Sequence, residues 1–380
     1  MKSVLISPHK YVQGRGVFRE LGSYLKLLGR RPLVLWDECV KGIVGQTVQA
    51  SIAEAGLELV ETMFQGEATA AERARVGQVA RDQRADISVG IGGGKILDVA
   101  KAAAVDCGIR MVTCPTIASN DSPTSAASVW YNDQGDFIAF DCWPFNPDIV
   151  LVDSAVIASA PVRSFVAGMG DALSTWIECE AAYQSRASNI AGGLPTMAAM
   201  AIARLCYDTL LEYGREAKRN VELKLVTPAV EKVIEANVLL SGLGFESGGL
   251  ATAHMIGNLL SNEPECKRLM HGEKVGFGIV AQLCLDDEMP VARKHLIVDF
   301  EIDIGLPVTL ADLSLQAASR DRLRAIANVC AGEGSLCHNH PFKVTAESVL
   351  DAMLAADALG RERKKARAHN SSLSPVTCPL

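Results

Sequence analysis

Short apolar runs alternate with longer stretches of 3.6-residue periodicity over residues 1–160. Residues 32–36, 57–64, 87–91, 110–114 and 149–152 read as strands, and 42–55, 70–84 and 95–105 as helices. Strand and helix in strict alternation predict a parallel sheet with helices on both faces, a Rossmann-like α/β domain. Asn132-Asp133-Gln134-Gly135 is turn chemistry between two apolar arms, 129–131 and 137–140, and predicts a hairpin. From residue 161 the pattern changes to Ala-, Leu-, Met-, Glu- and Arg-rich runs of helical period with no convincing strand, so residues 161–360 are expected to form an all-helical domain. Residues 361–380 read as a polar, disordered tail: Arg361, Arg363, Lys364, Lys365 and Arg367 suit the end of a helix, and polar residues beyond it fray.

A length of 380 residues fits two domains, and 49% hydrophobic content fills two cores. The net charge of −7 argues against nucleic acid or an anionic membrane surface as partner and leaves a small molecule. No run reaches the ~18 apolar residues of a membrane span, and the first residues lack a signal-peptide pattern, so a soluble, cytoplasmic protein is expected. Abundant apolar helical surface points to a homo-oligomer. The eleven cysteines include no C-x-x-C pair and several sit inside apolar runs, which reads as reduced core thiols rather than a zinc or nucleophile site.

Candidate chemistry lies at the carboxyl ends of the expected strands, where doubly wound sheets bind ligands. Gly92-Gly93-Gly94-Lys95 follows a strand and opens a helix: glycines admit an anion to the backbone N–H groups, the helix N-terminus favours negative charge, and Lys95 adds a point charge. The spacing matches neither of the common phosphate-loop fingerprints, and the same triplet also suits a plain tight turn. Asp37 ends the first strand of the alternation, where a carboxylate accepts from ribose hydroxyls and repels a 2′-phosphate, favouring NAD over NADP; it also suits a helix N-cap. The loop 115–125 is dense in hydroxyls and carries one carboxylate, Asp121, suited to a polyol. In the helical half, Asp171, His254 and His271 are candidates by residue type, but their spacing shows no metal site, and a lone histidine on an apolar helix reads first as a core residue.

Five motifs together resemble the glycerol dehydrogenase branch of the iron-containing, or group III, alcohol dehydrogenase family: GIGGGK-x-x-D-x-AK (90–101), PTIAS-x-D (115–121), G-x-GDALSTW (168–176), GFESGGLA-x-AH (244–254) and HGEKV-x-FG (271–278). The likeness runs from about Ser7 to Gly360. It implies a Rossmann-like domain followed by a helical one, with Asp171, His254 and His271 as metal ligands and part of the catalytic and substrate-binding set. It further implies NAD contacts from Asp37, Gly94, Lys95, Thr116, Ser119, Ser125, Ala127 and Tyr131, with Gly92, Gly93 and Asp98 belonging to the same cofactor turn, and a polyol contact from Asp121. Iron-type relatives carry a histidine four residues after the ligand Asp, on the same helix face; Thr175 stands there, and the remaining N/N/O set suits zinc better than iron, with other divalent ions as the alternative.

The implied activity is NAD- and zinc-dependent oxidation of glycerol, or of vicinal diols such as 1,2-propanediol, the Lewis acid making the alcohol oxygen alkoxide-like before hydride leaves. No general base stands out in the helical half, so the proton is expected to leave through water or ribose hydroxyls. The chain departs from the branch at His254-Met255-Ile256-Gly257-Asn258-Leu259, where His-x-x-His-Asn-Gly is usual, and at Asn120, Ser122 and Ala127, where Thr, Ala and Leu are usual. Two other readings follow: a non-catalytic NAD binder whose pocket is closed by 255–259, and a dehydroquinate synthase-like lyase, which needs cations such as Lys267, Arg268 and Lys274 around the metal.

Overall fold

A computed structural model describes residues 2–372. Its sheet has six parallel strands in the order β1 (Lys10–Gly14), β8 (Ile149–Asp153), β5 (Arg110–Pro115), β4 (Ile87–Gly92), β2 (Pro32–Trp36), β3 (Val60–Met63). The central strands are buried on both faces, as a sheet covered by helices requires. Alternation along β2 divides the core: Val34 and Trp36 face α1 (Leu21–Leu25) and α2 (Glu38–Glu54), while Leu33 and Leu35 face α3 (Ala70–Asp82) and α4 (Gly94–Cys107). β6 (Ala127–Tyr131) and β7 (Phe137–Cys142) form the expected antiparallel hairpin, whose turn is held by Asn132 Oδ1 accepting from Gln134 N and Asp136 N.

Edge strand β1 is absent from the sequence expectation. Its KYVQG carries no unbroken apolar run because one side faces solvent, and its pairing with β8 across most of the domain supplies the order that local pattern lacks. The helix expected from residue 42 begins at Glu38, because Asp37 caps it through Val40 N at 2.7 Å.

After α5 (Ser154–Ser159) the described chain is helical: α6 (Val162–Gln184), α7 (Met197–Glu222), α8 (Pro228–Glu235), α9 (Ser241–Gly248), α10 (Thr252–Leu260), α11 (His271–Leu285), α12 (Val291–Ile304), α13 (Arg320–Cys330) and α14 (Ala346–Ser372). A π-turn, Ala236–Leu240, joins α8 to α9, and Thr124 Oγ1 donates to its Val238 carbonyl, tying the hydroxyl-rich loop to the helices. The basic stretch from 361, expected to be a disordered tail, is instead the last turns of α14 through Ser372; 373–380 lie outside the described residues. Three of its cations are paired: Arg363 grips both oxygens of Asp299 at 2.9 and 2.7 Å, Lys364 pairs with Asp312 and Arg367 with Asp303.

Candidate functional site

Helices α6, α10 and α11 cross so that Asp171, His254 and His271 meet, their ligand atoms all within 4.8 Å of one another. Gly170 and Gly272 make the crossing possible, since a Cβ on Gly272 would stand 1.8 Å from the Ala167 carbonyl oxygen. His254 Nε2 and His271 Nε2 each lie 3.3 Å from Asp171 Oδ1. Two donors about 2 Å from a tetrahedral ion stand roughly 3.3 Å apart, so the trio fits a single divalent cation. Asp171 is fully buried, and Oδ1 finds no hydrogen-bond donor among the described residues, an orphan acceptor where a cation would sit. Its other oxygen accepts from Asp121 N at 3.1 Å.

Glu178, unnamed by sequence reasoning, stands behind His254. It is fully buried; Oε1 accepts from Ala251 N (2.9 Å) and His254 N (3.0 Å), and Oε2 accepts from His254 Nδ1. That bond leaves Nε2 for a metal, the carboxylate–histidine arrangement of metal centres. The signal was present: Asp171, Ser174 and Glu178 are polar positions at i, i+3 and i+7 on an apolar helix, one face two turns long. Burial works to raise the Asp171 and Glu178 carboxyls, but the adjoining imidazoles hold both below their ordinary values; conversely the two carboxylates outweigh burial and hold His254 above its own. The pocket is thus anionic in excess, as a cation site requires.

The hydroxyl-rich loop is positioned by a second buried pair. Lys101 on α4, fully buried, pairs with Asp98 Oδ1 at 2.9 Å and donates to Ser122 O at 2.9 Å and to the Ala127 carbonyl. Asp98 accepts from Ser122 Oγ at 2.6 Å and Val129 N at 3.1 Å. Asp98 was expected on the cofactor; it lines the cleft, but its carboxylate is committed to holding this loop. The loop places Asp121 beside the ligand triad, where burial and then the Asp171 charge push its carboxyl well above the ordinary range.

A cleft of about 670 Å³ runs between sheet and helices from Asp37 to His271. Gly93, Gly94, Lys95, Thr116, Ser119, Asp121 and Tyr131 line it. Gly92 ends β4 just beneath, and Ser125 and Ala127 face a smaller cavity of about 100 Å³ that also touches Asp121, His254, Met255 and His271. Gly94 lies under Asn120, whose Nδ2 would stand 2.7 Å from an added Cβ. Lys95 reaches Glu67 Oε2 at 2.5 Å and lies over the Tyr131 ring, 4.8 Å from its centroid.

The departures also have structural correlates. Thr175, in place of a fourth ligand, is buried against Ser241 Oγ at 3.2 Å. At Gly257 a Cβ would stand 2.8 Å from Val275 Cγ2 and 3.1 Å from its backbone, so α10 and α11 approach too closely there for a histidine. The cleft stays open beside Met255 to Leu259, contrary to the closed-pocket reading. Of the cations a lyase would gather, Arg268 turns away to Ser314 Oγ (2.7 Å) and Lys267 pairs with Asp136 (2.8 Å). The ten cysteines among the described residues are free thiols; Cys114, Cys206 and Cys330 lie in the core, whereas Cys107 and Cys284 are half-buried and Cys39 and Cys142 exposed.

Residues 8–154 match the family model described as iron-containing alcohol dehydrogenase. The chain is 44% identical over 361 residues to a glycerol dehydrogenase of Pseudomonas putida, covering 95% of this chain and 99% of the relative. It has the same identity and coverage to a glycolaldehyde reductase of Halobacterium salinarum. The solved structure of a probable glycerol dehydrogenase from Sinorhizobium meliloti superposes with a TM-score of 0.90 at 41% identity, covering 95% of this chain and 99% of that one. A parallel sheet followed by a helical domain, a glycine turn opening into an interlobe cleft, and full-length identity of this order have one common explanation: the chain belongs to the iron-containing alcohol dehydrogenase family, on its glycerol dehydrogenase branch.

Proposed function

We propose that the chain oxidises glycerol to dihydroxyacetone with NAD, using a divalent ion, zinc, held by Asp171, His254 and His271. The observation that carries this reading is the convergence of those side chains on the unpartnered Asp171 Oδ1 at one end of a dinucleotide-sized cleft. When bound, the ion supplies Lewis acidity that lowers the pKa of an alcohol oxygen, and NAD supplies the hydride acceptor. The three-donor N/N/O set, with Thr175 withdrawn, favours zinc over iron.

The chain's own residues do the rest. Glu178 fixes the His254 tautomer that leaves Nε2 unprotonated. Asp121, tethered through its N–H to Asp171, offers a carboxyl to a polyol hydroxyl next to the triad. Phe245, Leu250 and Met255 wall the smaller cavity and exclude water from a substrate of a few heavy atoms. Asp37 keeps Oδ2 available for a ribose while Oδ1 caps α2, and Gly93 and Gly94 admit a diphosphate to the start of α4. Vicinal diols such as 1,2-propanediol fit the same groups.

Reduced nicotinamide is followed with glycerol, 1,2-propanediol and, in the reverse direction, glycolaldehyde, before chelation, after it, and after zinc add-back. Glycerol-dependent turnover lost on chelation and restored by zinc supports the proposal; turnover that survives metal removal, or full activity in His271→Ala, sinks it.

A further inference from the structure

Three lysines line the cleft: Lys95, Lys267 and Lys274. Lys95 is paired with Glu67 and Lys267 with Asp136. Lys274 is 7% exposed, and no hydrogen bond or ion pair among the described residues reaches its Nζ. Its position adds a further cost, for it lies in the first turn of the fifteen-residue α11, where the helix dipole disfavours a cation.

No neighbour among the described residues is free to neutralise it. The adjacent Glu273 is occupied by Arg163 (2.7 Å to each oxygen) and by Met270 N (2.7 Å), and Cys266 is a buried thiol. A nearly buried ammonium without a counter-ion is unfavourable unless an anion arrives from outside. Burial, opposed in part by Cys266 and Glu273 and reinforced by the charge of Lys95, holds Lys274 down to about 8, so the amine feels the lysine of the glycine turn in the opposite lobe.

We propose that Lys274 is the helical lobe's contact to the diphosphate of the bound dinucleotide, opposite the glycine turn. The inference rests on the NAD reading above. The glycine turn holds the anion from the sheet side and Lys274 from the helical side, across the cleft that both line. Lys274 is a binding residue for the cofactor.

The test measures binding of ADP-ribose and of adenosine to the metal-loaded protein at neutral pH by calorimetry, for wild type, Lys274→Met, Lys274→Gln and Lys274→Arg, each checked for an unaltered melting transition. Removing a charge-assisted hydrogen bond from a buried site should weaken ADP-ribose about 10- to 100-fold in the Met and Gln variants, leave it largely retained in the Arg variant, and leave adenosine unchanged. ADP-ribose affinity unchanged in the Met variant, or ADP-ribose and adenosine weakened alike, overturns the inference and leaves the NAD reading standing. Wild-type protein that binds neither probe overturns the NAD reading itself.

Discussion

Glu178→Gln isolates the carboxylate behind His254 with almost no change in volume. The wild-type side chain accepts three hydrogen bonds, two from the backbone of Ala251 and His254 and one from His254 Nδ1. Glutamine has one acceptor oxygen and one amide donor group. If its oxygen keeps the two backbone donors, its NH2 faces His254 Nδ1, forcing that nitrogen to accept and moving the ring proton to Nε2, the atom aimed at the cation. Flipping the amide restores the tautomer but strands two buried backbone N–H groups, at about 1–3 kcal/mol each. The first arrangement is the cheaper, so the ion must compete against the wrong tautomer. Metal affinity is expected to fall about 10- to 100-fold, which is roughly 1.4–2.8 kcal/mol. Competition between dialysed protein and a chromophoric zinc chelator measures it directly, with ADP-ribose binding as a control for an intact cofactor cleft. Zinc affinity equal to wild type would refute the tautomer argument even if turnover fell.

Glu301→Met should stabilise the protein. Both carboxyl oxygens of Glu301 are buried without a partner among the described residues, and burial pushes its pKa well above the usual 4.5. Above about pH 4.5 the unfolded chain releases this proton while the folded chain keeps it, so the group costs stability progressively as pH rises; the variant should gain about 1–3 kcal/mol near neutrality and less near pH 4, read by denaturant melts at both. A gain independent of pH would show that Glu301 is ionised in the fold. Gly257→His, which restores the residue usual in the branch, should destabilise by about 1–3 kcal/mol because its Cβ meets Val275 at 2.8 Å; an unaltered melting temperature would mean that α10 and α11 separate at little cost.

The element types of this chain are local facts and were legible as such: unbroken apolar runs and period-3.6 patterns, the Asn132 turn and the Gly92-Gly93-Gly94 break arise from sterics and solvation within a few residues. Asp37 read correctly as the end of a strand and as a cap, both being properties of its immediate neighbours. Strand β1 and the last turns of α14 escaped the local pattern, because each is ordered by distant partners: β8 in one case, Asp299, Asp303 and Asp312 in the other. The candidate metal centre is the clearest division. Likeness to family motifs nominated Asp171, His254 and His271, yet their spacing carried no sign of a shared ion. Ligand geometry is set by where three helices cross, and that depends on glycines 170 and 272 letting backbones touch, on Glu178 reaching across to α10, and on Lys101 pinning a loop from the other lobe. The amino-acid order by itself determined most of the strand and helix segments and many of the side chains that carry chemistry, though not β1, the end of α14 or Glu178. Only tertiary packing decided which of those side chains meet, because close approach of residues far apart in the chain is governed by shape and burial across the whole interior rather than by any local period.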